Sequence, residues 1–308
     1  MGGGAAGVDV GGTKIAAGVV AADGQISPRA RRDSPAGDGA AIIDAIVDAV
    51  ADLGSAASGI PIGVGAAGIV DLDGVVRYSP NLAWTDVPLR AVLSERLERA
   101  VVVENDGNAA AWGEFRAGAA ATAHASAVMV TVGTGVGGGI VLDGRLVRGA
   151  DGLAGELGHI IVAEGGRRCN CGNAGCLESY ASGTAIAVAA AEHRQRGDIP
   201  TGSPLDRDDV TGADVTRAGQ GGDPAAQRVL AEIGGWLGVG LASLANALDP
   251  EVLVIGGGAV DADNLLLDPA RHALRERLLG RAHRTVPPVV AAALGPDAGM
   301  IGAALLAR

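Results

Sequence analysis

Aromatic residues are nearly missing from this sequence. Phe, Trp and Tyr make up 2% of its 308 residues, whereas 48% of the residues are hydrophobic. The core must therefore be built from Val, Ile, Leu and Ala, and the length suits one large or two ordinary globular domains. This composition favours an α/β enzyme over a binding surface rich in aromatic side chains. The 51 glycines provide many sites for tight turns or for close approach of the backbone to a ligand.

Positive charge is also scarce. The chain has 24 Lys and Arg against 35 Asp and Glu, a formal net charge of -11. Such a charge repels phosphate backbones, and no basic stripe with interleaved aromatic residues compensates for it. We therefore expect no nucleic acid among the partners.

The sequence shows neither an export signal nor a long apolar run. Residues 1–7 lack the basic and apolar regions of a signal peptide. One long uncharged stretch, Ile233 to Leu248, is interrupted by glycines and is shorter than a membrane span requires. We expect this stretch to be a buried helix, and the protein to be cytoplasmic with no membrane partner.

The only three cysteines, Cys169, Cys171 and Cys176, lie in one short run that follows His159. Three thiolates and an imidazole complete a tetrahedral zinc shell, which leaves no position for a reactive water and is therefore structural. Buried cysteines are also common as small core residues. The Cys-x-Cys-x4-Cys spacing, with two glycines between ligands, fits a metal loop better. The pattern predicts a structural Zn²⁺ that shapes a binding pocket.

Three glycine-rich turns follow apolar strands. We name them the first glycine turn (Gly11, Gly12, Thr13, Lys14), the second (Gly133, Thr134, Gly135, Val136, Gly137, Gly138, Gly139) and the third (Gly256, Gly257, Gly258). The first two are each followed by another strand and an Asp-Gly hairpin, which predicts a duplicated unit. The predicted strands are Ala6 to Val10, Ile15 to Val20, Pro61 to Ala66, Val101 to Val103, Val128 to Val132 and Val252 to Ile255. The predicted helices include Ala40 to Leu53, Leu89 to Arg99 and Ala298 to Leu306.

Glycine turns at strand ends are typical of phosphate binding, because backbone N–H groups can approach an anion there. The first turn is not a Walker loop, since Thr13 precedes Lys14, and it leads into a strand, which excludes a Rossmann pattern. Asp9 could orient Mg²⁺ through water, with Thr13 and Lys14 on phosphate oxygens. The alternative is that these are ordinary turns, with Asp9 stabilising the first one.

A polar cluster follows the strand at Val103 and includes Glu104, Asn105 and Asp106. We expect Asp106 to cap the helix that starts there, which would hold its carboxylate rigidly and keep its pKa low. Such a group suits a base that accepts a hydroxyl proton late in phosphoryl transfer. Asn105 adds donor and acceptor groups suited to neighbouring sugar hydroxyls.

Together these motifs resemble the ROK family of repressors and sugar kinases, and within it the bacterial glucokinases. The resemblance spans nearly the whole chain and includes the segment Ser79 to Trp84. It is carried by Asp9 to Lys14, Glu104 to Ala109, Glu156 to His159, Cys169 to Glu178 and Asp249 to Gly258.

The resemblance implies an α/β fold of two ribonuclease-H-like domains, as in actin and hexokinase, around a central cleft, with a small zinc-bound loop module. We expect one lobe at 1–115 plus 297–308 and the other at 116–296. The resemblance makes Asp106 the catalytic base for the sugar 6-hydroxyl. It assigns the remaining hydroxyls to Asn105, Glu156, His159 and Glu178, with Asn81 as a further contact.

The resemblance also implies that His159 binds zinc together with the three cysteines and at the same time contacts the sugar. The phosphate and nucleotide contacts then fall on Asp9, Gly11, Gly12, Thr13, Lys14, Gly133, Thr134, Gly135, Gly137, Gly256, Gly257 and Gly258. The expected reaction is Mg²⁺-dependent transfer from ATP to O6 of glucose, in a dimer or tetramer. Mannose or an N-acylated hexosamine as acceptor, polyphosphate as donor, and a sugar-binding regulator stay open as alternatives.

Overall fold

The computed structural model describes residues 4–308, apart from the side chain of Ala259. These residues pack into two compact units. The first unit takes the described part of Met1–Met129 with Gly138–Gly155 and Ala292–Arg308, and the second takes Val130–Gly137 and Glu156–Ala291. The lobe boundaries predicted from the sequence differ from these and stay a proposal; residues 1–3 of the predicted first lobe lie outside the described part.

The described residues form a mixture of strands and helices. In chain order the strands are β1 (Ala5–Val10), β2 (Lys14–Val20), β3 (Ile26–Asp33), β4 (Ile62–Ala66), β5 (Ile69–Val70), β6 (Val76–Tyr78), β7 (Thr85–Val87), β8 (Val101–Asn105), β9 (Ala127–Val132), β10 (Val136–Leu142), β11 (Arg145–Leu146), β12 (Val252–Gly256) and β13 (Val289–Ala291). The helices are α1 (Gly39–Ala51), α2 (Leu89–Leu97), α3 (Asp106–Ala117), α4 (Glu178–Ala181), α5 (Gly183–Gln195), α6 (Gly212–Gln220), α7 (Pro224–Leu248), α8 (Asn264–Arg277) and α9 (Ala298–Leu306).

Two five-stranded sheets repeat one plan. Their orders are β3-β2-β1-β4-β8 and β11-β10-β9-β12-β13. In each, the earliest strand of the set is central, the next two extend to one side, and the last two extend to the other. The duplication predicted from the glycine turns is therefore confirmed. The strands β5, β6 and β7 form a small third sheet, in which β5 and β6 flank the turn at Asp73 and Gly74.

The parallel strands of the first sheet gather polar residues at one edge. β1, β4 and β8 are parallel, so their carboxyl ends meet there. The register aligns Asp9 with Gly65 and Gly65 with Glu104. Because registered side chains project from the same face of a sheet, the glycine leaves space between the two acids. A Cβ at Gly65 would lie 3.8 Å from the Cα of Asp106, which occupies that space.

Helix α9 packs across β1 and β4 and against α3. The approach is so close that a Cβ at Gly63 would lie 1.8 Å from the carbonyl oxygen of Ala303. Glycine at position 63 is therefore the condition for this close packing of α9 against β4.

The long helix α7 confirms the buried helix predicted around Ile233 to Leu248. Asp223 caps it through the backbone N–H of Ala226, and Pro224 is its first residue, as the sequence indicated. This helix is long and apolar enough to pass as a membrane span by composition alone, but most of that stretch is buried inside the fold. It is a core helix.

Candidate active site and metal centre

Asp106 is the first residue of α3, directly after β8. The N-cap is Asn105, whose Oδ1 accepts a hydrogen bond of 2.9 Å from the backbone N–H of Asn108. The prediction that Asp106 caps the helix was therefore wrong: the cap lies one residue earlier, at Asn105, which is also the last residue of β8, two residues beyond the apolar run that ends at Val103. Asp106 instead lies in the first turn, where the helix dipole favours a negative charge.

Hydrogen bonds fix the carboxylate of Asp106. Its Oδ1 accepts from the backbone N–H of Gly107 at 2.9 Å and from Nδ2 of Asn105 at 3.2 Å. Nδ2 of Asn105 also donates to the carbonyl oxygen of Gly68 at 2.9 Å. Both amide donors of Asn105 are thus engaged with the protein, which leaves an acceptor lone pair for a ligand. The main contribution of Asn105 in this geometry is to orient Asp106.

Asp9 lies at the start of α9, where a Cβ on Gly299 would come within 2.9 Å of its Oδ1. Burial raises the pKa of Asp9 from 3.8 to about 6. The charge of Asp106 contributes to this rise, whereas Lys14 opposes it. The two acids therefore form a site with an excess of negative charge, the kind of environment that a cation or a proton stabilises.

The first glycine turn closes with a 3.0 Å hydrogen bond from the N–H of Gly11 to the carbonyl oxygen of Lys14. Thr13 is exposed at its tip. Gly12 lies against Asn81, whose carbonyl oxygen would be 3.1 Å from a Cβ at position 12. The exposed Asn81 is held there because its neighbours Leu82 and Trp84 are buried. The first compact unit thus brings together Asp9, Gly11, Gly12, Thr13, Lys14, Asn81, Asn105 and Asp106.

Within the second unit, the part of the second glycine turn up to Gly137 lies beside the third glycine turn. A Cβ at Gly257 would come within 2.4 Å of the carbonyl oxygen of Val132, the residue before the second turn. Gly256 ends β12, and Gly258 begins a short 3₁₀ helix. Gly137 belongs to β10, so the predicted second turn is shorter than its glycine run suggests.

The start of α5, which was not predicted from the sequence, is hydrogen-bonded to the second glycine turn. The backbone N–H of Gly183 donates to the carbonyl oxygen of Gly133 at 2.7 Å. The hydroxyl of Thr184 donates to the carbonyl oxygen of Thr134 at 2.8 Å. The sequence feature that indicates this helix is local: Ser182 is a favourable N-cap and precedes a run of apolar residues. Nothing in the spacing of these residues indicated the distant turn that they contact.

Glu178 connects the second glycine turn with the segment from Cys169 to Cys176, which we call the cysteine loop. Its Oε2 accepts a 2.9 Å hydrogen bond from the backbone N–H of Val136, and its Oε1 lies 3.7 Å from Sγ of Cys169. A Cβ at Gly135 would be 2.3 Å from Oε2. Glycine at position 135 is therefore needed for this carboxylate to reach the turn.

The four predicted metal ligands come together. Their donor atoms, from His159, Cys169, Cys171 and Cys176, all lie within 4.8 Å of one another. Nδ1 of His159 is 3.7 Å from Sγ of Cys169, and Sγ of Cys171 is 3.6 Å from Sγ of Cys176. Ligands about 2.3 Å from a tetrahedral zinc are about 3.8 Å apart. The cluster thus has the donor types and the spacing of a tetrahedral metal site.

The electrostatics of the cluster agree with a cation site. The pKa of the Cys176 thiol is raised to about 12, mainly by burial and also by the neighbouring Cys171 and Cys169. A thiol in such surroundings becomes a ligand when a metal cation replaces its proton.

The two nitrogens of the His159 ring face different groups. Nδ1 faces the thiols, while Nε2 lies 3.9 Å from Oε2 of Glu156. Both Nε2 and the half-exposed Glu156 carboxylate are therefore positioned to meet a polar ligand on the side away from the cysteines.

The model of the ROK family matches residues 5–308. This chain belongs to the ROK family. It is 40% identical to the glucokinase of Streptomyces coelicolor over 98% of the chain and 96% of that protein. A ROK family glucokinase from Streptomyces griseus, solved in complex with glucose and AMPPNP, superposes with a TM-score of 0.83 at 42% identity, covering 99% of both chains.

Repressors in the family are also similar, though less completely. The xylose repressor of Caldicellulosiruptor bescii is 33% identical over 70% of this chain and 54% of its own length. The matched family and the two repeated sheets establish the actin- and hexokinase-like α/β fold predicted from the sequence.

Proposed function

We propose that this protein is a glucokinase that transfers the γ-phosphoryl group of ATP to O6 of glucose. The observation that carries the proposal is the fixed carboxylate of Asp106 at the start of α3, at the same sheet edge as Asp9 and the first glycine turn. Support also comes from full-length similarity to glucokinases and to a kinase structure that contains glucose and an ATP analogue.

In the proposed mechanism Asp106 accepts the proton of the sugar 6-hydroxyl as O6 bonds to the γ-phosphorus of ATP, while the bond from that phosphorus to the bridging oxygen breaks and ADP leaves. Two donors, Asn105 and the N–H of Gly107, hold its carboxylate so that little motion is needed at that step. Lys14 and Thr13 contact phosphate oxygens, and Asp9 orients the hydrated metal. Mg²⁺, when bound with ATP, neutralises the charge that develops on the phosphates.

We propose structural zinc as the metal of the cysteine cluster. In that role His159 would hold the metal through Nδ1, which would leave Nε2, together with the carboxylates of Glu156 and Glu178, to hold sugar hydroxyls. Glu178 then has two tasks, since its Oε2 also accepts from the second glycine turn.

The remaining assignments follow the family pattern. Gly133, Thr134, Gly135, Gly137 and the third glycine turn contact the nucleotide, with Asn81 as a further sugar contact. We also propose lobes at 1–115 plus 297–308 and at 116–296, a homodimer or homotetramer, and a cytoplasmic location.

A coupled ADP-release assay tests the proposal directly. Purified protein receives Mg-ATP with glucose, mannose, fructose, N-acetylglucosamine or N-acetylmannosamine in turn. We expect strong turnover with glucose. Turnover with another sugar alone would keep the kinase mechanism and change the substrate, and turnover only with polyphosphate would change the donor.

A sugar-binding regulator is the second candidate, favoured by the similarity to a xylose repressor. It predicts tight sugar binding without phosphorylation by either donor. Calorimetric titration of the same sugars, in the absence of nucleotide, separates this outcome from a protein that binds no sugar.

A further inference from the structure

Glu104 is a buried carboxylate with three hydrogen bonds and no role in the proposed chemistry. It is 4% exposed. Its Oε1 accepts from the backbone N–H of Asn105 and from Nδ2 of Asn108, both at 3.1 Å, and its Oε2 accepts from Nε of Arg148 at 2.6 Å. Burial of a charge is costly unless it is paired and hydrogen-bonded. These partners are therefore the condition for keeping Glu104 charged in the interior.

The partners of Glu104 bracket Asp106. Asn105 is the N-cap of α3, and Asn108 closes the cap by donating its backbone N–H to Asn105. One carboxylate thus holds both ends of the first helical turn, and Asp106 lies between them. A displacement of Glu104 would move the backbone from which Asp106 projects.

The segment from Arg148 to Gly155 completes this support. It closes on itself through a 3.0 Å hydrogen bond from the N–H of Ala154 to the carbonyl oxygen of Arg148. Its other end, Gly155, has φ +103 and lies against Asn108, so that a Cβ there would be 2.8 Å from Oδ1 of Asn108. Asn108 is 1% exposed and its Oδ1 has no hydrogen-bond partner in the described structure. The segment therefore meets the first turn of α3 at two points, one ionic and one steric.

We propose that the Glu104–Arg148 ion pair is the positioning element of the catalytic base: it fixes the first turn of α3 so that Asp106 meets the acceptor hydroxyl in reactive geometry. Neither residue touches the substrate in this scheme. The inference rests on the proposed kinase function, and it assigns Arg148 a role that its partly exposed side chain does not suggest.

Arg148→Gln is the primary test, because it removes the charge that faces Glu104 and the substituted side chain is partly exposed. We expect kcat for glucose phosphorylation to fall by about 10- to 100-fold, since small misplacement of a catalytic group has effects of this size. The KM for glucose should change by less than about threefold, because sugar contacts are intact. Arg148→Lys should recover part of kcat by restoring the charge.

Two further variants separate positioning from general destabilisation. Arg96→Gln removes another surface arginine of the same unit from its partner Asp44, away from α3, and should leave kcat unchanged. The double variant Glu104→Gln with Arg148→Gln should be no slower than the slower single variant, because both changes break one interaction. Additive losses, or a kcat for Arg148→Gln equal to that of the wild type, would overturn the proposal.

Hydrogen exchange supplies a readout that does not need activity. In Arg148→Gln, the backbone amides at 105–108 should exchange at least about tenfold faster than in the wild type, while those of β1 stay unchanged. Unchanged exchange at 105–108 would contradict the positioning role whatever the turnover. The wild type could phosphorylate no sugar while Arg148→Gln still exchanges faster than the wild type at 105–108. In that case the proposed kinase function is wrong, but the Glu104–Arg148 pair does stabilise the first turn of α3.

Discussion

Two carboxylates at neighbouring strand ends, Asp9 and Asp106, are held differently by the fold. Asp106 receives hydrogen bonds from Gly107 and Asn105, which stabilise its charged form. Burial raises the pKa of Asp9 to about 6. The difference agrees with a base at position 106 and a residue at position 9 that is ionised fully when a cation is close.

Asp106→Asn keeps the size of the side chain and removes the proton acceptor. We expect turnover to fall by roughly three to four orders of magnitude, from loss of the base together with disturbed positioning. Glucose affinity in calorimetric titration should change by less than about fivefold, because the other hydroxyl contacts remain. The control Asp86→Asn changes an exposed aspartate of β7. Near-normal turnover in Asp106→Asn would remove this residue from the mechanism.

The raised pKa of Asp9 predicts a pH dependence of stability. The folded state holds this proton up to about pH 6, whereas the unfolded chain releases it near 3.8, so the stability contribution of Asp9 falls as the pH rises between these values. Between pH 4 and pH 7 the free energy of unfolding of the wild type should therefore fall by up to about 3 kcal/mol relative to that of Asp9→Asn. Urea unfolding of both proteins across this range measures the difference. A difference that is flat with pH, or that grows in the opposite direction, would contradict the assignment.

At the scale of elements, the cysteine loop has two supports. The side chains of His159 and the three cysteines gather at its tip, and Arg167 holds its base: the backbone N–H of Arg167 donates to the hydroxyl of Tyr180 at 2.6 Å, and its guanidinium pairs with Glu192 at 2.6 Å. The guanidinium also stacks over the Tyr180 ring, 5.0 Å from the centroid. Loss of a bound metal should therefore increase the mobility of the cysteine loop without unfolding the chain.

Cys171→Ser tests this division. We expect metal content to fall from about one zinc per chain to a small fraction, and sugar affinity to fall because His159 loses its anchor. The control Asn170→Ala alters an exposed neighbour between two ligands and should keep the zinc. Elemental analysis and calorimetry give both quantities. A wild-type protein purified without zinc, or a Cys171→Ser variant with normal sugar affinity, would contradict the structural role.

The contact of α9 with β4 gives a prediction about packing. Gly63→Ala places a methyl group 1.8 Å from the carbonyl oxygen of Ala303, so strand and helix must separate. We expect destabilisation of about 3 kcal/mol or more, at the upper end for an overpacked site. Gly37→Ala is the matched control, because its Cβ would meet nothing within 4 Å. Equal unfolding midpoints for the two variants in urea would show that the contact is looser than described.

At the scale of the whole molecule, the repeated sheets were predictable because each carries a glycine turn between two apolar strands. The metal cluster was predictable because its cysteines lie in one short run. The N-cap of α3 was not, because Asn105 and Asp106 are both good caps and the strand end is not marked by hydrophobicity. Arg148 and Thr184 were missed because their partners are distant in sequence, at Glu104 and Thr134.

The central claim is that the protein phosphorylates a sugar hydroxyl through Asp106. The most direct test is phosphorus NMR of the purified protein with glucose and Mg-ATP, beside Asp106→Asn. The account predicts a phosphomonoester signal coupled to the protons on C6 of glucose, equal in amount to the ADP formed and absent with the variant. Unchanged ATP, release of inorganic phosphate without a sugar ester, or an equal signal from Asp106→Asn would contradict it.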